Sequence, residues 1–190
     1  MVSQAVILVG GEGHRLNDMV RFSPAIEVPK PLMEVGGKPF ISYSINMLRG
    51  VGFTDIILLV GYRKEEYEIY KRDRNVRLWE TRPDVNEAVL TIPGLETLFV
   101  LLNGDCFPIM DWEKLHNADW PFTTIKICSR DAGCAVVRKS DVSSGLVSVT
   151  DIASMASVYP SVTILGGLHI GTPQGLQRAR VFMDTVVFGQ

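Results

Sequence analysis

The sequence predicts an α/β protein with a mixed or parallel sheet and helices on both sides. Three observations predict it. Residues 5–9, 56–60 and 98–102 are short, continuous apolar runs, as expected of strands buried on both faces. Ile41, Ile45 and Leu48 recur at helical spacing behind Pro39, which suits a helix start. Strand-like and helix-like segments then alternate through the first half of the chain, the pattern that lays helices over a sheet.

Taken in order, residues 5–9 form the first strand, ending at Gly10-Gly11. A long segment from Gly10 to about Lys38 follows, rich in glycine, proline and both charge signs. Loops of that length in compact domains are usually functional or disordered. The Pro39 helix is ended by Gly50 and Gly52, residues 55–60 give a second strand, and residues 64–70 a charged surface helix. Residues 76–79 and 98–102 are the third and fourth strands, the latter running into Asn103-Gly104-Asp105. In the second half, residues 123–127, 134–137 and 146–149 read as short strands, separated by turn residues at 129–133 and 140–145. Residues 173–182 read as a closing helix with Thr172 as its N-cap. The chain has 190 residues, the size of one domain, and shows no repeat, low-complexity tract or linker; residues 1–190 are read as one unit.

A net charge of −2 gives no global basic field, so nucleic acid is not an expected partner and any phosphate site must be local. No apolar run approaches the ~20 residues of a membrane span, and the first residues lack a basic leader segment. Cys106, Cys128 and Cys134 form no CxxC pair and read as buried, reduced thiols. A cytoplasmic protein is expected, with no membrane partner.

Three motifs carry chemistry. Gly10-Gly11-Glu12-Gly13-His14-Arg15-Leu16 directly follows a buried strand, where glycines let backbone N–H groups approach phosphate and an arginine adds a planar charged donor. A bare glycine-rich turn is the plainer alternative. A Rossmann dinucleotide fingerprint fails because Leu16 stands in place of its third glycine, and a Walker A loop fails because no Gly-Lys-Ser/Thr follows. Next, Pro29 and Pro31 clamp Lys30 in a loop of reduced freedom, which would aim its ammonium group; a solvated surface lysine is the alternative. Last, Asp105 follows an apolar strand, the end at which open α/β sheets bind ligands. Its carboxylate could hold magnesium, although Asn-Gly-Asp is also a common turn.

The order and spacing of these motifs, together with Gly37-Lys38-Pro39 at the helix start and residues 52–62 around the second strand, resemble the sugar-phosphate nucleotidyltransferase family. Similarity is dense over residues 5–62, resumes over 98–107 and thins afterwards. The resemblance implies a Rossmann-like, glycosyltransferase-A-type three-layer α/β/α fold with a mixed, mainly parallel sheet. It implies a nucleotidyltransferase that moves a nucleoside monophosphate from a triphosphate to a sugar 1-phosphate and releases pyrophosphate. Nucleotide binding would fall to Leu8, Gly10, Gly11, Gly13, Arg15, Lys30, Glu80 and Asp105, with Arg15 and Lys30 catalytic. Asp105 would bind magnesium (manganese as the alternative), and a homo-oligomer is compatible with the family.

Two departures stand out. Glu80-Thr81-Arg82-Pro83 keeps the family's Glu and Pro, but residues 84–88 lack the glycines that follow. His169 occupies either the place of the second metal aspartate, in an Asp-Ile-Gly-Thr-Pro string, or an aromatic packing place on a Gly-Ile-Tyr-Val strand. In the first register it joins Asp105 as a metal ligand, and imidazole suits zinc or manganese better than magnesium. A cytidylyltransferase acting on a non-sugar phosphate and a catalytically impaired nucleotide-binding relative remain as alternatives. A nucleotide-sugar glycosyltransferase ranks last, because Asp105 is followed by Cys106-Phe107 and not by a second aspartate of an Asp-x-Asp motif. Of the remaining residues, His14, His116, Arg21 and Arg63 read as solvated, and Trp79, Trp112 and Trp120 as packing residues.

Overall fold

The computed structural model describes residues 1–12, 28–117, 125–127, 130–131, 133–159, 162–164 and 166–188. Its strands are β1 (Gln4–Leu8), β2 (Glu34–Val35), β3 (Lys38–Pro39), β4 (Asp55–Val60), β5 (Val76–Glu80), β6 (Leu98–Asn103), β7 (Cys106–Pro108), β8 (Ile125–Ile127), β9 (Arg130–Asp131), β10 (Cys134–Arg138), β11 (Val162–Ile164) and β12 (Gly167–His169). The α-helices are α1 (Phe40–Gly50), α2 (Val85–Leu90), α3 (Trp112–His116), α4 (Lys139–Ser143) and α5 (Pro173–Phe188).

The central sheet has the order β10-β6-β1-β4-β5. β1, β4, β5 and β6 pair in parallel, and β10 runs antiparallel along β6. Each strand presents alternate residues to two separate cores, as a sheet covered on both faces requires. On one face Ile7, Leu58 and Val100 pack against Ile41, Ile45 and Leu48 of α1. On the other, Val6, Ile57 and Leu101 pack against Ala88 and Val89 of α2 and Val142 of α4. This is the three-layer α/β/α arrangement with a mixed, mainly parallel sheet. At full burial each such aliphatic side chain contributes about 1.5–3 kcal/mol, so this double-sided packing is the main source of stability.

The chain runs from β1 outward through β4 to β5, then returns to place β6 on the other flank of β1. Strand order therefore reverses between β1 and β6. At such a switch point the connections leave in opposite directions and open a crevice beyond the carboxyl ends of the two strands.

Several local expectations are corrected. Residues 146–149 form no strand; they follow α4 as a turn, in which Val147 and Val149 are buried beneath α2 and Asn86 Oδ1 accepts the Val149 N–H at 2.8 Å. Apolar residues two apart thus mark burial here, not a ladder. Lys139–Ser143, inside the expected 140–145 turn segment, is helical, and Arg130–Asp131 pairs with β8. The charged segment Lys64–Arg72 is a 3₁₀ helix whose Tyr67 is fully buried. His116 is half-buried, with its ring 5.1 Å from that of Phe53. Thr172 caps α5, accepting the Gly175 N–H at 3.1 Å, and the helix runs on to Phe188. Trp112 is buried and Trp79 packs partly buried, while Trp120, Cys128, His14 and Arg21 lie outside the described residues. Among the described residues no helix is long and apolar enough to cross a membrane.

Candidate active site

A cavity of about 580 Å³ opens at the switch point. Leu8, Val9, Gly10 and Gly11 from the end of β1 and Asn103 and Asp105 from the end of β6 form its floor, and Lys30 with Pro31 closes one side. Thr81, Arg82, Val85 and Thr150 form the other.

Close backbone packing sets the floor. A Cβ on Gly10 would lie 3.0 Å from the Gly61 amide nitrogen, and Gly10 C=O accepts the Tyr62 N–H at 3.1 Å. Gly10 is therefore demanded by the approach of the loop to the end of β4. Gly11 differs. A Cβ there would meet nothing within 4 Å, and its φ is not positive. Among the described residues nothing packs against that position, whereas a ligand pressed against its backbone would call for glycine.

Gly104 joins the other two parts of the site. A Cβ on it would stand 2.8 Å from Val9 Cγ1, 2.9 Å from Leu8 O and 3.0 Å from Pro31 Cγ, and its N–H donates to Leu8 O at 2.9 Å. The missing side chain lets the end of β1, the turn before Asp105 and the proline after Lys30 occupy one small volume. Lys30 opens the 3₁₀ turn Lys30–Leu32, closed by Leu32 N–H donating to Pro29 O at 2.8 Å, with Pro31 buried. Pro29 and Pro31 thus anchor this lysine beside the Asp105 turn.

Among the described residues Asp105 is the acidic residue of the cavity lining. Its side chain is 20% exposed, and His169 Nε2 lies 3.4 Å from its Oδ2. Cys106 Sγ donates to Oδ1 at 3.4 Å. Burial alone pushes the carboxyl pKa up, but hydrogen bonds from His169 and Cys106 and the electrostatic influence of His169 and Lys30 outweigh it, so it stays below the ordinary carboxylate value. The carboxylate is ionised at neutral pH.

His169 sits at the end of β12, paired with Cys106 of β7, and Ile170 N–H donates to Asp105 O at 2.9 Å. His169 thus lies on a strand, but its imidazole does not pack inward. Its side chain is 46% exposed and faces Asp105. Gly171 makes this possible, since a Cβ there would lie 2.5 Å from His169 Nε2 and 3.0 Å from Asp105 Oδ2.

Of the residues expected to bind nucleotide, Leu8, Gly10, Gly11, Lys30 and Asp105 meet in this cavity. Gly13 and Arg15 lie outside the described residues. Glu80 is absent from the lining; its carboxylate accepts from Lys64 Nζ at 2.7 Å on the exposed edge of β5, beside a shallow hollow of Trp79, Thr81, Arg82 and Pro83. Arg63 pairs with Glu66 at 2.5 Å and does not line the cavity. The lining residues that sequence reasoning missed are Thr81, Arg82, Val85 and Thr150. In place of the family's glycines, Asp84 caps α2 by accepting the Glu87 N–H at 3.1 Å, and Asn86 holds the 148–150 turn against the same helix. The Asp-x-x-Glu string at 84–87 was the available signal, being a form of helix start.

Residues 5–92 match the MobA-like NTP transferase domain family. The chain is 29% identical over 195 aligned residues to a mannose-1-phosphate guanyltransferase of Schizosaccharomyces pombe, covering 92% of this chain and 51% of that protein. It is 41% identical over 75 residues to a choline-phosphate cytidylyltransferase of Streptococcus pneumoniae, covering 40% of this chain and 31% of that one. The chain spans about half or less of these curated relatives. The crystal structure of HddC from Yersinia pseudotuberculosis superposes with a TM-score of 0.73 at 17% identity, covering 95% of this chain and 99% of that one, and so shares the fold.

Proposed function

We propose that this chain, which is similar to the MobA-like NTP transferase domain and to a mannose-1-phosphate guanyltransferase, transfers a nucleoside monophosphate from a nucleoside triphosphate to a sugar 1-phosphate, releasing pyrophosphate and forming an activated nucleotide sugar. The observation that carries this reading is the meeting of Lys30, Asp105 and the open backbone of Gly11 in one cavity at the switch point. An ammonium, a carboxylate and side-chain-free backbone suit a polyphosphate that must be gripped, partly neutralised and held in line for displacement.

In this reading Gly10, Gly11 and Gly13 cradle the triphosphate, and Arg15 and Lys30 stabilise charge as the acceptor phosphate oxygen attacks the α-phosphorus. One oxygen–phosphorus bond forms, the bond to pyrophosphate breaks, and no side-chain nucleophile is needed. Leu8 supports the nucleotide from the floor, and Glu80 is assigned to the outer rim near the base or sugar. A single carboxylate beside substrate phosphates fits magnesium, which keeps several waters and binds few protein ligands; manganese is the alternative. Asp105 would hold the ion, with His169 beside it, and the ion would supply neutralising charge. The reading assigns no nucleic-acid or membrane partner, allows a homo-oligomer, and places the protein in the cytoplasm, consistent with Cys106 and Cys134 being buried thiols.

One observation favours a second acceptor. The highest identity quoted above, 41% over 75 residues, is to a choline-phosphate cytidylyltransferase. A cytidylyltransferase acting on a non-sugar phosphate therefore stays as the second reading.

Pyrophosphate release, measured with a panel of triphosphates against sugar 1-phosphates and phosphocholine, tests both. The expected result is magnesium-dependent turnover that falls at least about a hundredfold in Lys30→Ala and in Asp105→Ala, the scale of losing one transition-state contact. Equal rates in the variants and the natural chain would remove the assignment. Triphosphate binding without turnover would point to an impaired relative.

A further inference from the structure

We propose that Gly61 is a positioning residue, one that holds the glycine floor and the Thr81–Arg82 wall of the cavity at the separation a bound triphosphate needs. Gly61 directly follows β4 and is not among the lining residues, whereas Gly10 and Thr81, its neighbours on either side, both are. The three stand at the carboxyl ends of β1, β4 and β5, adjacent parallel strands of the sheet. A Cβ on Gly61 would lie 2.6 Å from Thr81 Cγ2, 3.0 Å from Gly10 O and 3.3 Å from Gly10 Cα. Carbon atoms in favourable contact stand about 3.5–4.0 Å apart, so floor and wall approach as closely as a bare backbone between them allows.

Gly61 is bare for room and not for conformation. Its φ is not positive, so alanine could adopt its backbone. Crowding is the obstacle, and both neighbours are tied down. Gly10 O accepts the Tyr62 N–H at 3.1 Å, and the Thr81 N–H donates to Val60 O at 2.7 Å. The turn beyond Gly61 is itself constrained, with Arg63 at φ 51 in the left-handed region that non-glycine residues rarely adopt.

Of the two neighbours, Thr81 is the one that yields, because its contact is a side-chain methyl and that of Gly10 is backbone. A β-branched side chain has few rotamers to escape into. Arg82, which precedes Pro83, has little backbone freedom to absorb the push. A methyl at position 61 therefore drives Thr81, and Arg82 with it, away from the floor. In a site of fixed geometry a displacement of about 1 Å can cost roughly a hundredfold. The proposal rests on the reading of the cavity as a triphosphate site.

Calorimetric titration with magnesium and non-hydrolysable analogues of GTP and CTP tests it, in the natural chain, Gly61→Ala, Thr81→Ser and the double variant, each below its unfolding temperature. Serine keeps the hydroxyl and deletes the methyl that the new Cβ would meet. Gly61→Ala should weaken analogue binding at least about tenfold in the natural background, and less than about threefold in the Thr81→Ser background. Should Gly61→Ala alone not fold, the double variant should fold and bind. A purely structural glycine would lower the urea midpoint of Gly61→Ala and leave the affinity of the folded molecules untouched, which overturns the proposal. Equal losses in both backgrounds, or a double variant that neither folds nor binds, overturn it as well. Absence of analogue binding to the natural chain would instead remove the nucleotidyl-transfer reading and this proposal with it, so the two failures are told apart.

Discussion

Two glycines, Gly11 in the cavity lining and Gly104 between the lining residues Asn103 and Asp105, make opposite predictions. At Gly104 an added methyl would press on Leu8 O and on the proline that anchors Lys30. Gly104→Ala should cost about 1–3 kcal/mol of stability, typical of overpacking, and should lower activity along with it, read by urea unfolding and by pyrophosphate release. At Gly11 the methyl meets no atom of the described residues. Gly11→Ala should therefore leave stability within about 0.5 kcal/mol while weakening triphosphate affinity, measured by calorimetry. Equal loss of stability in both variants would contradict this division into a packing glycine and a ligand glycine. The string Gly10-Gly11 was legible in the sequence as one motif. Its division into two physical jobs was not, because only the position of Gly61 distinguishes them.

At the scale of elements, the 3₁₀ segment Lys64–Arg72 braces the exit of β1. Tyr67 is buried and its hydroxyl donates to Val9 O at 3.3 Å, at the exit of β1. Burial, with the charges of Tyr70 and Glu66, pushes the Tyr67 phenol well above its ordinary value. Burial also raises Tyr70, opposed by its hydrogen bond with Ser42. A phenol raised in the folded state holds its proton more tightly there than in the unfolded chain. Its contribution is complete below the unfolded value of about 10 and is lost as pH climbs past it. Unfolding midpoints should therefore fall as pH rises above about 10, and Tyr67→Phe should flatten that decline. An identical alkaline slope in the variant would contradict the assignment.

Helix α2 makes a second prediction at this scale. Asp84→Ala removes its cap and should cost about 1 kcal/mol, read by thermal unfolding. The loss should also lower nucleotide affinity, because Val85 and the turn held by Asn86 line the cavity. The long apolar strands and α1 could be read directly from the chain because periodicity and burial agree there. The 84–90 and 139–149 segments could not, because short helices carry too few turns for a periodic signal and their apolar residues answer to the neighbouring helix as much as to their own element. The same limit hid Thr81, Arg82 and Thr150 as lining residues. They come from two chain segments that only the packing of α2 brings face to face.

For the whole molecule, the controlling feature is the reversal of strand order between β1 and β6. It places the start of the first motif, Gly10-Gly11, beside the third, and Pro31 against Gly104 brings the second to both. Order and spacing along the chain hinted at this convergence. The contacts that enforce it, and the placement of His169 against Asp105, depend on residues more than sixty positions apart, and periodicity does not report on such pairs.

The most direct test follows the phosphorus atoms. A nucleoside triphosphate labelled separately at the α and γ positions should be incubated with the chain, magnesium and a sugar 1-phosphate. The account predicts α-label in the nucleotide sugar and γ-label in pyrophosphate, in equal amounts. Transfer of γ-label to the acceptor, or α-label ending only in free nucleoside monophosphate, would contradict it.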